Sequence, residues 1–502
     1  FSVEVIRIWA KTRSHISNGM AILGAGCVCV MIRPYRHSGA FTNAGKREKL
    51  FAVSRQYRTY FNTCIKSVRR TLFSGATLPK YLPRMATTLL SERYKQTCGG
   101  QARATFLSWL SNVQNRFRDT VLHSSLDDGA KHRLLTLNKT SLWFSKDVTL
   151  RNITISQADL KLARRIFKQV RGRSPAMKNP SMLLDRKVAK LEPSTDSTFD
   201  GWIRISTLEK GHPVCLPIKG YNYCREKTGE LQQSVQVIVD LKAQTVDYGI
   251  IKDVAPTKTA QTGEHKVVGL DLGIVELINT STGNKYGLTL YPLLKKYDRI
   301  IQRQIKGRMC AGLMTNSPWI AELHAKVAQL IKNEVGRALN KLIEQEAPSV
   351  LVIENLTNLS RDTRKDPRLS KTMRRLLSRC GISQVRERIL QKCEEHGIDL
   401  VQVNPAYTSQ ECQQCHHVEA KNRKRKAFRC LRCGKKTDAD YNGSVNVLNR
   451  RSVPQINIYT PYRAVKGILA AIAALSSRHH ASDREAVPFG APNKHRMVEL
   501  LL

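Results

Sequence analysis

Two Cys-x-x-Cys motifs near the C-terminal end constrain this sequence more than any other feature. They are separated by 14 residues, and each can place two thiolates on one tight turn. Two such turns brought together make a closed tetrahedral sulfur site, which predicts one structural Zn²⁺. The metal would also give a defined position to Asp438 and Asp440, which follow the second motif. The predicted zinc ligands are Cys412, Cys415, Cys430 and Cys433.

Other uses of these cysteines fit less well. The run CQQCH at 412–416 also matches the short haem-attachment pattern, and Cys-x-x-Cys occurs in thioredoxin-like redox sites. The nearby second motif and the lack of an export signal favour zinc over haem, and no thioredoxin-like pattern surrounds the cysteines.

The charge of the chain points to a polyanionic partner. Lys and Arg number 83 against 40 Asp and Glu, and the net charge of +43 is spread over the sequence. Nucleic acid is the first candidate partner. A membrane is disfavoured, because the apolar run at 20–32 is too short to span one and is broken by Gly24 and Gly26. Nine of the 13 cysteines have no framework spacing, which predicts an intracellular protein.

The N-terminal half combines strand and helix patterns. Residues 26–35 predict a strand, basic amphipathic helices follow from residue 46, and residues 170–200 indicate a linker. Short alternating runs at 201–254 then predict a small antiparallel barrel or sheet that the helices interrupt. Four aromatic residues on the basic helices are expected to pack in the core, although they could stack on bases: Tyr57, Tyr60, Phe61 and Trp109.

From residue 265 onward, two strongly apolar strands each carry one acid. Asp271 lies in KVVGLDLGI and Glu354 ends PSVLVIENL. A buried carboxylate is costly unless it is paired or binds metal. With Asp440 as a third ligand, the acids predict a Mg²⁺ or Mn²⁺ site for two-metal phosphodiester hydrolysis. Taken singly, Asp271 could lie in a turn, Glu354 at a surface strand end, and Asp440 at a helix cap.

Four stretches carry a resemblance to a known family. GLDLGI at 269–274, VIENL at 352–356, PAYTSQECQQC at 405–415 and CLRCGKKTDADYNGSVNV at 430–447 resemble the split RuvC nuclease domain of the TnpB family. That family includes transposon-encoded RNA-guided DNA nucleases, their Fanzor relatives and type V CRISPR effectors. The family's catalytic acids would correspond to Asp271, Glu354 and Asp440, and its zinc ligands to the four cysteines. His416 departs from the pattern, because a Gly usually follows the first Cys pair.

The resemblance implies a multidomain α/β fold. It comprises an RNase H-like (RuvC) mixed sheet with an inserted zinc ribbon, preceded by a wedge β-barrel that a helical recognition lobe interrupts. The implied segments are an N-terminal strand region at 1–45, the lobe at 46–190, the remaining barrel at 191–262, the first nuclease parts at 263–407, the ribbon at 408–436, the third nuclease part at 437–450 and a tail at 451–502.

The resemblance also implies the partners. They are a guide RNA and a target DNA duplex with a short flanking motif, cleaved as single strands in the presence of two Mg²⁺ (or Mn²⁺). The expected location is the cytoplasm or nucleoid in a prokaryote, or the nucleus for a eukaryotic relative. We expect the basic loop at 361–375 to lead a single strand over the metals, although a solvated loop is the alternative. The predicted nucleic-acid contacts are Arg361, Arg364, Lys365, Arg368, Lys371, Arg374, Arg375, Arg423, Lys424 and Arg425.

Two other functions compete with an RNA-guided, Mg²⁺-dependent endonuclease. One is a guided DNA-binding repressor with an inactive nuclease site, which the presence of Asp271, Glu354 and Asp440 disfavours. The other is an unguided RuvC-type nuclease or transposase, which would have little use for the long basic helical region before residue 190.

Overall fold

The computed structural model describes residues 31–79, 82, 88–150, 153–226, 229–254, 266–355 and 369–485. The chain divides into two compact units, Phe1–Thr257 and Lys258–Leu502. Both units contain helices and strands, so the chain is a mixed α/β protein with more than one domain. None of the helices in the described ranges has the length and apolar character needed to span a bilayer.

Four long helices of the first unit follow the predicted helical period. Each begins at a polar residue, Asn43, Ser91, Asp127 or Ser156, whose side chain accepts a hydrogen bond from a backbone N–H of the first turn. Their apolar stripes meet in one core that includes Tyr57, Phe106 and Trp143. The helices are α1 (Ala44–Phe73), α2 (Glu92–Leu122), α3 (Asp128–Thr140) and α4 (Gln157–Val170).

The strands of the first unit form three antiparallel groups. A four-stranded sheet has the order β1-β9-β8-β4, a three-stranded sheet has the order β5-β6-β7, and β2 pairs with β3. All four long helices lie between β1 and β4 in the sequence. The strands are β1 (Met31–Ser38), β2 (Thr149–Leu150), β3 (Ile153–Thr154), β4 (Ser181–Leu184), β5 (Ala189–Pro193), β6 (Gly201–Ile205), β7 (Val214–Ile218), β8 (Glu230–Asp240) and β9 (Thr245–Val254), with a short helix α5 (Asn222–Glu226) between β7 and β8.

The prediction of a linker at 170–200 is wrong. Strands β4 and β5 lie in this region, and Met182, Leu184 and Ala189 are buried in the core of the first unit. The Pro and Ser residues around these strands favoured a linker, and the apolar alternation between them is too short to have predicted strands.

The second unit is built on a mixed sheet with the order β12-β11-β10-β13-β14. Strands β10, β13 and β14 are parallel, whereas β11 and β12 are antiparallel additions at the β10 edge. The strands are β10 (Val267–Leu272), β11 (Ile278–Thr280), β12 (Lys285–Tyr286), β13 (Val350–Glu354) and β14 (Asp399–Val403).

Helices of the second unit pack against the alternating side chains of this sheet. Val268, Leu270, Leu351 and Ile353 share one core with four helices: α6 (Leu290–Cys310), α7 (Pro318–Glu346), α8 (Lys371–Cys380) and α9 (Ile382–His396). Val352 and Val403 instead pack with Val447 of α10 (Ala439–Arg450). Because side chains alternate along a strand, Asp271 and Glu354 lie on the same side as Gly269 and Val352, which faces α10.

The remaining elements form a small three-stranded ribbon and a terminal helix. The ribbon strands are β15 (Arg423–Lys424), β16 (Ala427–Arg429) and β17 (Lys436–Asp438), preceded by a 3₁₀ turn at Ala420–Asn422. Helix α11 (Tyr462–Glu485) packs through Val465 and Leu469 against Ala406 of the second unit.

Gly269 sets the distance between α10 and the sheet. A Cβ atom at this position would lie 2.4 Å from the Ser444 carbonyl oxygen and 2.8 Å from Cβ of Leu448. Only glycine allows this approach of helix to strand, and the approach brings the first turn of α10 close to β10.

We therefore expect Gly269→Ala to displace α10 and to destabilise the second unit by about 1–3 kcal/mol, the usual cost of overpacking. Thermal unfolding would show a lower midpoint than that of the wild-type protein. The matched control is Gly307→Ala in the last turn of α6, where nothing lies within 4 Å of the added Cβ. This control should leave the midpoint unchanged or slightly raised, and equal losses in the two variants would contradict the packing role of Gly269.

A buried carboxylate joins the end of α7 to the β11–β12 hairpin. Glu346 is 2% exposed and accepts hydrogen bonds from Thr282 Oγ1 at 2.6 Å and Asn284 Nδ2 at 2.6 Å, while Lys266 Nζ lies 2.9 Å from its other oxygen. Burial alone would raise the pKa of Glu346, but these donors outweigh burial and lower the pKa to about 2. The ionised form is therefore tied to the folded state.

The pH dependence follows from the sign of this shift. Because the folded pKa lies below the unfolded value, the carboxylate contributes about 3 kcal/mol above pH 4.5, and this contribution is lost as the pH falls towards 2. Glu346→Gln should lower the unfolding midpoint at pH 7, and its difference from the wild type should narrow at pH 3. Glu322→Gln, at an exposed position of the same helix, is the control. It should leave the unfolding midpoint unchanged at both pH values. If the midpoint of Glu346→Gln differs from that of the wild type by the same amount at pH 7 and pH 3, the proposed role of the carboxylate is contradicted.

Candidate functional site: a thiol cluster beside three carboxylates

The four predicted zinc ligands lie together. Their Sγ atoms are all within 4.8 Å of one another, with Cys412 and Cys433 3.7 Å apart and Cys415 and Cys430 3.6 Å apart. A tetrahedron with Zn–S bonds of about 2.3 Å has edges of about 3.8 Å. The cluster therefore has the dimensions and the donor set that one zinc ion needs.

The backbone after each Cys pair turns through the left-handed region. Gly434 has φ 74° and His416 has φ 54°. Glycine takes this conformation without steric cost, whereas histidine does not. His416 makes a compensating contact, because its Nδ1 lies 2.8 Å from Glu411 Oε1. The departure of His416 from the family pattern thus leaves the thiol turn intact.

Zinc binding to this cluster has to displace protons. Burial raises the pKa of the Cys412 and Cys415 thiols, so without metal both are neutral at pH 7. Zinc takes thiolates, and its affinity therefore falls as the pH is lowered.

We expect the purified chain to carry one zinc ion per molecule, measured by atomic absorption. Cys430→Ser removes a buried ligand and should lose that zinc during dialysis against a chelator at pH 7, whereas Cys310→Ser changes an exposed cysteine outside the cluster and should retain it. Equal zinc content in both variants would show that the ion is bound elsewhere.

The three predicted catalytic acids come from neighbouring elements. The residues before Asp271 and Glu354, Leu270 and Ile353, are register partners on adjacent parallel strands. Asp440 stands in the first turn of α10. A Cβ atom at Gly443, one turn later, would lie 3.0 Å from Oδ2 of Asp271, so the helix passes directly beside this carboxylate.

The charges of these acids interact. Burial, followed by the negative charges of Glu354 and Asp440, raises the pKa of Asp271. Burial also raises the pKa of Glu354, although a hydrogen bond from Thr408 and the charge of Arg450 oppose this. The mutual repulsion of these carboxylates is the condition that a bound divalent cation relieves.

The acids do not form a single tight ligand cluster. Among the described residues, the cysteines are the one group whose ligand atoms all lie within 4.8 Å of one another. Asp440 is held by Arg423, whose Nη2 donates to Oδ1 at 2.6 Å, and Glu354 accepts a hydrogen bond from Thr408 Oγ1. A more open set of carboxylates is compatible with two cations about 3.5–4 Å apart.

The interpretation of Asp440 as a helix cap is wrong. Asp438 is the N-cap of α10, and its Oδ1 accepts from the backbone N–H groups of Asp440 at 2.9 Å and Tyr441 at 3.0 Å. The Asp440 side chain is therefore free of a structural duty in the helix and can face Asp271.

A polar stripe on α10, which sequence reasoning missed, fixes the helix to the first thiol turn. Asn442 Nδ2 donates to the Glu411 carbonyl at 2.8 Å, and Asn446 Nδ2 donates to the same oxygen at 2.7 Å. Arg450 Nη2 donates to Glu411 Oε2 at 2.5 Å, with both side chains buried. The signal was available, because Asn442, Asn446 and Arg450 follow one another at intervals of four residues.

The predicted nucleic-acid contacts have different surroundings. Lys424 and Arg425 are exposed at the ribbon turn and Lys371 is exposed on α8, whereas Arg374 is half-buried. Arg375 binds the buried Asp298 of α6 instead, with Nη2 3.0 Å from Oδ2. Arg423 pairs with Asp440. The remaining four, Arg361, Arg364, Lys365 and Arg368, lie outside the described residues.

Comparisons with known proteins match this part of the chain. A family model described as the Cas12f1-like TNB domain matches residues 383–447. The CRISPR-associated endodeoxyribonuclease Cas12f1 of Sulfoacidibacillus thermotolerans is 26% identical over 249 residues, which cover 46% of this chain and 55% of the relative. The "Putative RNA-guided DNA endonuclease InsQ" of Escherichia coli strain K12 is 27% identical over 195 residues, which cover 36% of this chain and 48% of the relative.

A solved structure also superposes on the chain. The cryo-EM structure of a Cas12f1–sgRNA–target DNA complex covers 85% of this chain and 100% of that chain, at 14% identity and a TM-score of 0.44. The chain spans about half of the length of the curated relatives it matches, 55% and 48% of the two proteins above. The sequence matches confirm the resemblance to the TnpB family and the small type V effectors that the four motifs predict.

Proposed function

We propose that this protein is an RNA-guided DNA endonuclease that hydrolyses phosphodiester bonds at Asp271, Glu354 and Asp440. The observation that carries the proposal is the convergence of these acids. Two parallel strands and a helix fastened to the thiol cluster bring together three carboxylates that are 83 and 86 residues apart in the sequence. The related proteins named above, an endodeoxyribonuclease and an RNA-guided DNA endonuclease, support this activity.

The fold assignment belongs to the same proposal. The order β12-β11-β10-β13-β14, with an antiparallel edge beside three parallel strands, supports an RNase H-like (RuvC) sheet at 263–407 and 437–450. Residues 408–436 would be its inserted zinc ribbon. The sheets of the first unit and the helices between β1 and β4 support a wedge region at 1–45 and 191–262 with a recognition lobe at 46–190, and 451–502 would be a tail.

The residues of the site would have different roles in the reaction. Bound at the three acids, two Mg²⁺ (or Mn²⁺) would supply water activation and stabilisation of the leaving oxygen. Asp271 and Glu354 would hold the cations from the sheet, and Asp440 would hold them from α10. Thr408 orients the Glu354 carboxylate by donating a hydrogen bond to it.

Arg423 is a cation that lies directly beside one of the three acids. Its guanidinium pairs with Asp440 and lowers the pKa of Asp271 and Glu354 by its charge. If Asp440 held a cation, the Arg423 guanidinium could donate two hydrogen bonds to phosphate oxygens. We therefore extend the predicted role of Arg423 from general strand binding to the scissile phosphate.

Guide RNA and target DNA would account for the charge of the chain. A surplus of +43 neutralises phosphates without reading sequence, and base pairing with the guide would select the target beside a short flanking motif. The basic segment at 361–375 would lead a single strand to the acids. Its described part begins α8, which Arg375 and Arg379 anchor to Asp298.

Two neighbouring aspartates allow a matched test of the site. Asp440→Asn should reduce Mg²⁺-dependent cleavage of a guide-matched DNA at least a hundredfold, because a cation ligand is lost. Asp438→Asn should retain cleavage within a few-fold, because Asn caps a helix as well as Asp does. Cleavage is measured on end-labelled DNA, and RNA binding by filter retention.

Three outcomes distinguish the competing functions. Equal loss in the two variants would mean that Asp440 acts through the helix and not at the metals. A wild-type protein that binds guide and target without cutting would be a repressor. Cleavage of branched DNA by protein freed of RNA would identify an unguided nuclease.

A further inference from the structure

A cavity in the first unit is lined by positively charged and aromatic side chains. Its volume is about 360 Å³, within the size range of small-ligand sites. Arg69 and Arg173 are exposed, so the cavity is reachable from solvent. The residues that matter here are three arginines, two aromatic residues and one serine: Arg69, Arg171, Arg173, Phe73, Trp109 and Ser174.

The two aromatic rings are held in place before any ligand arrives. Trp109 lies in the middle of α2, and its Nε1 donates to the Arg171 carbonyl at 3.1 Å. Phe73, the last residue of α1, packs edge-on against Phe144 at 4.7 Å between ring centroids. Both rings are half-buried, whereas Tyr57 and Phe61 are buried in the core as predicted. Trp109, which was expected to pack in the core, thus lines this cavity together with Phe73.

Among the described residues, the lining of the cavity has positively charged side chains and no negatively charged ones. In the part of the chain that the structure describes, no residue lining it is acidic and none of its three arginines pairs with a carboxylate. The Arg171 guanidinium lies 6.0 Å from the centre of the Phe73 ring. The Ser174 hydroxyl oxygen is buried and has no hydrogen-bond partner among the described residues. A buried hydroxyl of this kind calls for a ligand or a water molecule.

We propose that this cavity binds one unpaired nucleotide of a nucleic acid strand, with the base against Trp109 and Phe73 and the phosphate at the arginines. Stacking on aromatic faces and on guanidinium planes is how proteins hold unstacked bases. A base-paired nucleotide cannot enter, because its neighbours cover its faces. The inference rests on the proposed function and deepens it by assigning a nucleotide site to the first unit. The strand is either the guide RNA or a single strand of the target DNA.

Photo-crosslinking locates the site and identifies the strand. The full-length Asp440→Asn protein, freed of copurifying RNA, is mixed with a 4-thiouridine RNA or a 4-thiothymidine DNA, each single-stranded, and crosslinks are mapped by mass spectrometry. A crosslink at Phe73 or Trp109 from the RNA assigns the guide, and one from the DNA assigns the target strand. Crosslinks that avoid both residues with both strands overturn the proposal.

Affinity measurements separate the cavity from general charge. Arg69→Gln and Arg70→Gln remove the same charge from neighbouring exposed positions of α1, but only Arg69 lines the cavity. Anisotropy titrations are made at a salt concentration where Arg70→Gln weakens binding of the crosslinked strand less than twofold. Arg69→Gln should then weaken it at least fivefold, and equal effects would contradict the proposal.

Changes at Trp109 test stacking without changing charge. Trp109→Leu should weaken binding about 5- to 150-fold, the range measured for loss of one base–aromatic stack, whereas Trp109→Phe should retain most of the affinity. Thermal unfolding of each variant shows whether the fold is kept, and the Phe variant decides the matter if the Leu variant unfolds. A Leu variant that is folded and binds like the wild type overturns the proposal.

Failure of the cavity and failure of the endonuclease are distinguishable. If the wild type binds RNA and cuts DNA but the Arg69 and Trp109 variants behave like Arg70→Gln, only the cavity assignment fails. If the wild type binds neither single strand, the proposed function fails with it.

Discussion

The buried polar contact between α10 and the first thiol turn supports the rest of the candidate site. Arg450 and Glu411 form an ion pair with almost no exposure, and Asn442 and Asn446 donate to the Glu411 backbone. Leaving either charge without its partner is strongly unfavourable, so the helix and the turn hold one relative position. The same helix packs on β10 at Gly269 and carries Asp440. The thiol cluster, the sheet and the third acid are therefore mechanically connected through one helix.

This connection explains why the thiol cluster lies beside the carboxylates. A ribbon of this size has few apolar side chains, with Phe428 as the large one buried next to the thiols. Metal binding to the thiols would supply folding free energy that such a small core lacks. The fixed ribbon then presents Arg423 to Asp440, and Lys426 to Glu276 of the loop after β10. Loss of zinc would loosen both contacts at once.

The distribution of charge around the acids follows from burial. Desolvation and then the charges of two acidic neighbours raise the pKa of Asp271. The charge of Arg423 opposes this rise, and the charges of Arg450 and Arg423 likewise lower the pKa of Glu354. The site is thus short of positive charge, although the chain as a whole has a large excess. That local shortage is what a divalent cation would satisfy.

Much of this organisation could be predicted from residue types and spacing. The intervals of the cysteines specify a four-thiol cluster because short turns permit few other arrangements. The apolar runs around Asp271 and Glu354 specify buried strands, whose parallel pairing places both acids at one edge. Local chemistry could not distinguish Asp438 from Asp440, since either aspartate can cap a helix, nor could it reveal the strands hidden in the region at 170–200.

Other features depended on contacts between residues far apart in the chain. Packing decides that Arg423 pairs with Asp440 and that Arg375 pairs with Asp298. It also places Trp109 at a cavity instead of in the core. The sequence by itself determined the ligands, the strands and the basic character of this protein, because these depend on residue type and local period. Only the tertiary structure decided which charges meet and which aromatic face stays open, because those depend on distances that the chain sets by folding.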